Sequence, residues 1–431
     1  MHDQTESRVL SGHFQGSRRS GRRGGPPHLR KHRAAKIHAT TPRNRGWSRG
    51  AWASLLSATL TLAGLSVGGA AVADVGTIAH DSLRTGWDRD EPGLSPSAVA
   101  SSNFGKLFSS TVDGQVYAQP LVVGTTVIAA TENNAVYGLD SATGAAKWTR
   151  KLGPAWPAST VGCGDLTPNI GITSTPVYDP ATKSVYLLAK TNDGASKLFP
   201  HWYMHALDVA TGAEKPGFPV TIQGSPTNDP ARPFNPMTAM QRPGLLLLNG
   251  VVYAGFASHC DYTPFVGYVV GVSTAGRQTT MWATESGNAN AEGGIWQSGG
   301  GLVSDGPANI LLTTGNGISP KPGPGTQPPT TLAEAVVRLK VGSDGNLKAT
   351  DFFSPADNAK LNRNDADLGS GAPVGIPDGY GTAAHPHLMA QIGKDGHMYL
   401  LDRDNLGGMA QGPGGTDAVL DKAGPYSGLV S

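Results

Sequence analysis

A strand-built unit recurs along this chain at a nearly constant interval, and that recurrence limits the fold more than any other feature. The clearest copy runs from Leu121 to Trp148: an apolar strand, a turn, a second apolar strand, then Ala135-Val136-Tyr137-Gly138-Leu139 closing on Asp140. Equivalent third strands read as Val136–Asp140, Met204–Asp208, Val269–Ser273, Val336–Lys340 and Met398–Asp402. The aliphatic residue before each closing turn gives the markers Leu139, Leu207, Val272, Leu339 and Leu401, spaced by 68, 65, 67 and 62 residues. Strands repeating at such a period call for a propeller or another closed repeat array. A parallel sheet with crossover helices would need helical stretches in the spacers. The spacers are instead rich in glycine and proline, 59 and 32 residues in the whole chain.

The first copy also shows how one unit works. Val127–Ala130 and Ala135–Leu139 are apolar runs suited to strands packed on both faces. Asp140-x-x-Thr143-Gly144 supplies the turn, because the Asp carboxylate can accept backbone N–H groups and glycine tolerates positive φ. Trp148 opens the return strand, where its ring can cover a junction between units.

The motif Leu139-Asp140-x-x-Thr143-Gly144-x-x-x-Trp148 resembles the tryptophan-docking repeat of the pyrroloquinoline-quinone (PQQ) type propellers. Leu207-Asp208-x-x-Thr211-Gly212 is a partial second copy, with Phe218 where a Trp would lie. The resemblance covers roughly residues 78–412. It implies an all-β propeller of four-stranded antiparallel blades with tryptophan-docking-like repeats. At a mean period of 65.5 residues, the 358 residues after Ala73 hold about five and a half units. Propellers of this family usually close with eight, so the expectation is about five blades in an incomplete ring, with the chain truncated at its C-terminal side.

The N-terminal part reads differently. Residues 1–50 hold 12 Lys/Arg against Asp3 and Glu6, a net +10, with no apolar period, and are expected to form a disordered arm. Residues 51–73 carry no charge, and the run Ala53–Val67 leads to Ala71-x-Ala73 before Asp74. A basic region, a short apolar run and a small-residue site describe an export signal cleaved after Ala73. A spanning helix would need roughly 20 apolar residues, so stable membrane insertion is not expected. Residues 74–431 hold 22 Lys/Arg against 30 Asp/Glu, a net −8. An acidic body disfavours nucleic-acid binding. Export to a secreted or extracytoplasmic location would expose Cys163 and Cys260 to oxidising conditions, where they can pair.

The resemblance also implies where a quinone site would be. In that family a Trp stacks on the quinone, a Glu and an Asn bind calcium, an Asp is the base, and a Lys or Arg contacts the quinone oxygens. Trp296 and Asn316 resemble the stacking Trp and the calcium Asn; Asp367, of Asp365-Ala366-Asp367, resembles the base; Lys394 resembles the quinone-contacting cation. Other positions depart from the pattern. Cys163-Gly164-Asp165 stands where the family has adjacent cysteines, the calcium Glu is missing with only Asp261 one position out of register, and Val266 replaces an expected Arg. No Cys-x-x-Cys-His occurs to hold haem covalently. The same alignment brings Cys163 and Cys260 towards the axis, where a disulfide is expected.

Weaker candidates are His201 and His205, which a strand would place about 13 Å apart, and the turn pair His385 and His387. Ser319–Pro329 reads as an extended surface loop. No Gly-x-Ser-x-Gly elbow or phosphate loop points to a hydrolase or NTPase. The leading expectation is an exported propeller acting as a binding or scaffolding module, with an unidentified protein or small-molecule partner. The alternative is an alcohol or sugar dehydrogenase using PQQ and calcium.

Overall fold

A computed structural model describes residues 74–89, 91, 93–287 and 292–426. The expected basic arm and export segment lie outside the described residues. Among the described residues, five sheets of four or five strands follow one another along the chain, with a two-stranded ribbon of Trp156–Pro157 and Asn169–Ile170 between the first and second. The first contains Leu121–Val123, Thr126–Ala130, Ala135–Asp140 and Ala146–Lys151, paired antiparallel in chain order. The second contains Val177–Asp179, Ser184–Thr191, His201–Asp208 and Val220–Thr221 in the same order. In the third, Ala239–Met240 and Leu246–Leu248 both pair with Val251–Ser258, followed by Tyr268–Ser273 and Arg277–Ala283. The fifth contains Val374–Gly375, Leu388–Ile392, Met398–Asp402 and Asp421–Ala423.

The fourth sheet departs from the plain antiparallel order. Asn309–Thr313, Val336–Val341 and Leu347–Ser354 pair antiparallel, but its outer edge is Gly408–Met409, lying parallel to Leu347–Ser354. Its inner position is held by a single bridge from Val303 to Leu311. The third strands therefore end at Asp140, Asp208, Ser273, Val341 and Asp402, within one residue of the sequence expectation.

The sheets stack face to face because both faces of most strands are apolar. Val136, Leu187 and Leu207 share a cluster between the first and second sheets, and Met204, Val252 and Val270 share one between the second and third. Val269, Leu312 and Val337 join the third to the fourth, and Val336, Met389 and Tyr399 the fourth to the fifth. Each such side chain, fully buried, contributes roughly 1.5–3 kcal/mol.

The turn motif performs a second task at these junctions. Asp140 Oδ1 accepts from Thr143 N–H at 3.0 Å and from the Thr143 hydroxyl, and Asp208 does the same for Thr211. The turn so formed places Gly212 beneath Trp148, whose Nε1–H donates to Val209 O at 2.9 Å. A Cβ on Gly212 would lie 2.5 Å from the indole, and one on Gly138 would lie 2.2 Å from it. The ring is thus held between a glycine of its own sheet and a glycine of the next.

A segment from Val75 to Arg84 ties the inner strands together. Val75 bridges Val122 of the first sheet, and Gly76 O accepts from Tyr178 N–H of the second at 2.7 Å. The buried Arg84 guanidinium donates to Leu245 O at 3.1 Å and Leu302 O at 2.8 Å, in the segments that lead into the third and fourth sheets. Ser82 O accepts from Ser304 N–H and Leu83 O from Gly375 N–H, both at 2.8 Å. Ten residues reach at most about 36 Å when extended, so five inner edges lie around one short axis. Among the described residues, two short α-helices, Pro96–Val99 and Asn358–Arg363, occur in the connections.

Candidate functional site

The loops leaving the inner strands meet above an apolar cluster of Trp156, Val161, Leu166, Ile170 and Met240, with Cys260 and Trp296 packed against it. Lys190 is fully buried beside it, in the second sheet. Its ammonium reaches Met237 O at 3.0 Å, Ala239 O at 3.2 Å and His259 Nε2 at 2.7 Å, and lies 3.9 Å from the centre of the Trp156 ring. Burial pushes the Lys190 amine well below its ordinary value, while three acceptors and an indole face favour the charged form. The structure pairs Cys163 with Cys260, Cα atoms 6.6 Å apart, joining the loop between Trp156–Pro157 and Asn169–Ile170 to the loop after Val251–Ser258 of the third sheet.

Trp296, Asn316, Asp367 and Lys394 come together next to this cluster. Gly315 makes the approach possible: a Cβ there would lie 2.5 Å from Asp367 Oδ1 and 3.1 Å from Trp296 Cδ1. Asn316 N–H donates to Asp367 Oδ1 at 2.8 Å, and its Nδ2 donates to Asp365 Oδ1 at 2.6 Å. Lys394 Nζ lies 2.5 Å from Asp367 and 3.2 Å from Asp365. Burial alone would lower the Lys394 amine, but the hydrogen bond and charge of Asp367, then Asp365, hold it above its ordinary value.

Asp261 faces the same group. The residue is solvent-exposed, yet the desolvation its carboxyl keeps in this position pushes it up to about 6, and the charges of Asp367, Asp365 and Glu292 push the same way, with Lys394 opposing. Glu292 is also raised, by burial and then by Asp367. The five candidates of the sequence thus share one electrostatic neighbourhood, in which four carboxylates surround one lysine.

Sequence reasoning missed Glu292, which sits at φ 60° and bridges Val266 and Gly317. It also missed Glu334, whose buried Oε2 accepts from Leu368 N–H at 2.7 Å and so holds the Asp365–Leu368 turn. Burial pushes the Glu334 carboxyl up to about 8. Neither belongs to a local motif; each is placed by pairing between distant segments.

The donor set does not fit the implied calcium and quinone. Calcium takes six to eight oxygens, yet Asp365 and Asp367 are turned onto Lys394 and onto both nitrogens of Asn316. Among the described residues, no group of three or more His, Cys, Asp or Glu side chains is arranged to hold a metal ion. The disulfide links residues 97 apart in sequence, so it cannot form the ring of adjacent cysteines that stacks on a quinone. The two weaker histidine pairs are engaged separately: His201 with Asp193 and His205 with Glu214, His385 with Asp402 and His387 with Asp404.

No protein-family model matches the sequence, and a search of curated proteins returns no match. Solved structures do match. The quinohemoprotein alcohol dehydrogenase from Comamonas testosteroni aligns over 77% of this chain and 48% of its own, at 18% identity and a TM-score of 0.52. A second quinohemoprotein alcohol dehydrogenase, from Pseudomonas putida HK5, aligns over 73% and 42% at 16% identity, TM-score 0.49. BamB from Moraxella catarrhalis aligns over 73% and 65% at 16% identity, TM-score 0.38. The chain spans about half the length of the first of these. The likeness to the first of these shows the fold, a β-propeller built of four- and five-stranded sheets.

Proposed function

From that propeller fold we propose that the chain acts as an extracytoplasmic binding module whose axial mouth receives the cationic group of a protein or small-molecule partner. The observation that carries this reading is the Asp365–Asp367–Lys394–Asn316 network. Side chains that a quinone dehydrogenase would use as base and metal donor are engaged with one another here. Asp261 and Glu292 add two carboxylates, so the mouth has an acidic excess that a cation or a cluster of N–H donors complements. The half-buried Trp296 ring, backed by the buried cluster of Trp156, Val161 and Met240, gives such a ligand contact area.

The test is binding of a Lys/Arg-rich peptide to the secreted protein at low and high salt. Binding that weakens about tenfold in Asp365→Asn/Asp367→Asn, and that falls with salt, supports the reading. Binding indifferent to both substitutions would move the partner site elsewhere.

The dehydrogenase alternative has one observation in its favour. Asn316 Oδ1 is buried without a hydrogen-bond partner, beside Trp296 and Asp367. That orphaned oxygen is a single ligand, short of the set calcium requires.

A further inference from the structure

The turn that carries Asp261 is held in an unfavourable backbone. Cys260 and Asp261 are consecutive non-glycine residues in the left-handed region, at φ 49° and 51°, where Cβ crowds the following carbonyl. Upstream, His259 N–H donates to Thr238 O at 2.9 Å, and Tyr262 N–H turns back onto His259 O at 3.0 Å. Downstream, Phe265 O accepts from Glu292 N–H at 3.0 Å. Between these anchors, the covalent tie to Cys163 holds the turn in place.

That tie is reachable from solvent. Cys163 is exposed and Cys260 partly so. Cys163 is flanked by Gly162 and Gly164, at φ 80° and 84°. Its loop leaves the short ribbon of Trp156–Pro157 and Asn169–Ile170, whereas Cys260 follows Val251–Ser258 of the third sheet. The two loops have no common sheet to keep them together once the bond opens.

We propose that the Cys163–Cys260 bond is a redox-operated lock on the acidic mouth, holding Asp261 beside Glu292, Asp365, Asp367 and Lys394 when oxidised and releasing it when a dithiol reduces it. One thiolate of the dithiol attacks Cys163 Sγ, and Cys260 leaves as a thiolate. The second thiol then displaces Cys163, so the dithiol becomes a disulfide and two protons end on the two cysteines. The left-handed turn, freed of its tie, relaxes towards ordinary backbone and carries Asp261 out of the mouth. This lock does not depend on what the mouth binds.

Hydrogen exchange read by mass spectrometry on the full chain, oxidised and after dithiothreitol, tests it. Exchange across residues 259–266 and 158–168 should speed at least tenfold on reduction, while Val251–Ser258 and Tyr268–Ser273 exchange as before. Cys163→Ser should show the fast pattern without reductant, and Asp261→Gly, which removes the cost of positive φ, should respond less to reduction. Resistance of the native protein to dithiothreitol would overturn the proposal. So would unchanged exchange at 259–266, or equal acceleration throughout the third sheet, which would mark the bond as a plain structural staple.

Discussion

Three glutamates in this protein have a polar surrounding that only a proton makes tolerable. Glu132, Glu285 and Glu334 are fully buried; each accepts one backbone N–H, from Gly171 at 2.6 Å, Leu332 at 2.9 Å and Leu368 at 2.7 Å, and each leaves its other oxygen without a partner. Burial pushes their carboxyls up to about 7, 9 and 8. The folded state therefore holds these protons more tightly than the unfolded chain, whose carboxyls ionise near 4.5. The stability these three groups contribute is fully present below that value and is lost as pH rises through 7–9, by up to about 1.4 kcal/mol per pH unit for each group. Melting temperature followed from pH 5 to 9 should decline, and Glu334→Gln should flatten the decline; a melting temperature that rises across this range would contradict the assignment. Lys190 is the buried basic counterpart, its amine pushed down by burial. Lys190→Met strips a donor from two carbonyls and an imidazole, and should cost about 2–4 kcal/mol in urea unfolding. A loss under 0.5 kcal/mol would show that those acceptors find other partners. None of these four residues stands in a sequence motif, which is why composition and spacing pass over them.

At the scale of the elements, the strand pattern was readable because both determinants are local. The apolar run sets a strand, and the Asp-x-x-Thr-Gly turn ends it with hydrogen bonds made within four residues. Trp148 was readable as a junction residue for the same reason, though its seat between Gly138 and Gly212 needs the neighbouring sheet. Gly138→Ala tests that seat, since the new methyl would meet the indole; an overpacking cost of about 1–3 kcal/mol is expected. Wild-type stability in that variant would mean that the ring shifts freely. The parallel edge Gly408–Met409 was not readable. It comes from a segment beyond the fifth sheet's third strand, and no local period announces a strand that returns to an earlier sheet.

For the molecule as a whole, the candidate site was legible in part. Trp296, Asn316, Asp367 and Lys394 carry motif-like surroundings, and the blade repeat directs their loops to one place. Glu292 and the tie from Val75 to Arg84 depend on contacts between segments far apart in sequence, and no pattern encodes those. The Cys163–Cys260 bond joins two such segments, and its loss in Cys163→Ser/Cys260→Ser should lower stability by up to about 4–5 kcal/mol in the chain-entropy model. The account rests most heavily on the axial mouth being a binding surface in which Asp365 and Asp367 are already paired with Lys394. Titration of the full chain with PQQ in millimolar calcium, with dye-linked assays on alcohols and sugars, tests this most directly. The account predicts neither submicromolar binding nor turnover; submicromolar binding with turnover that vanishes in Asp367→Asn would contradict it and establish the dehydrogenase.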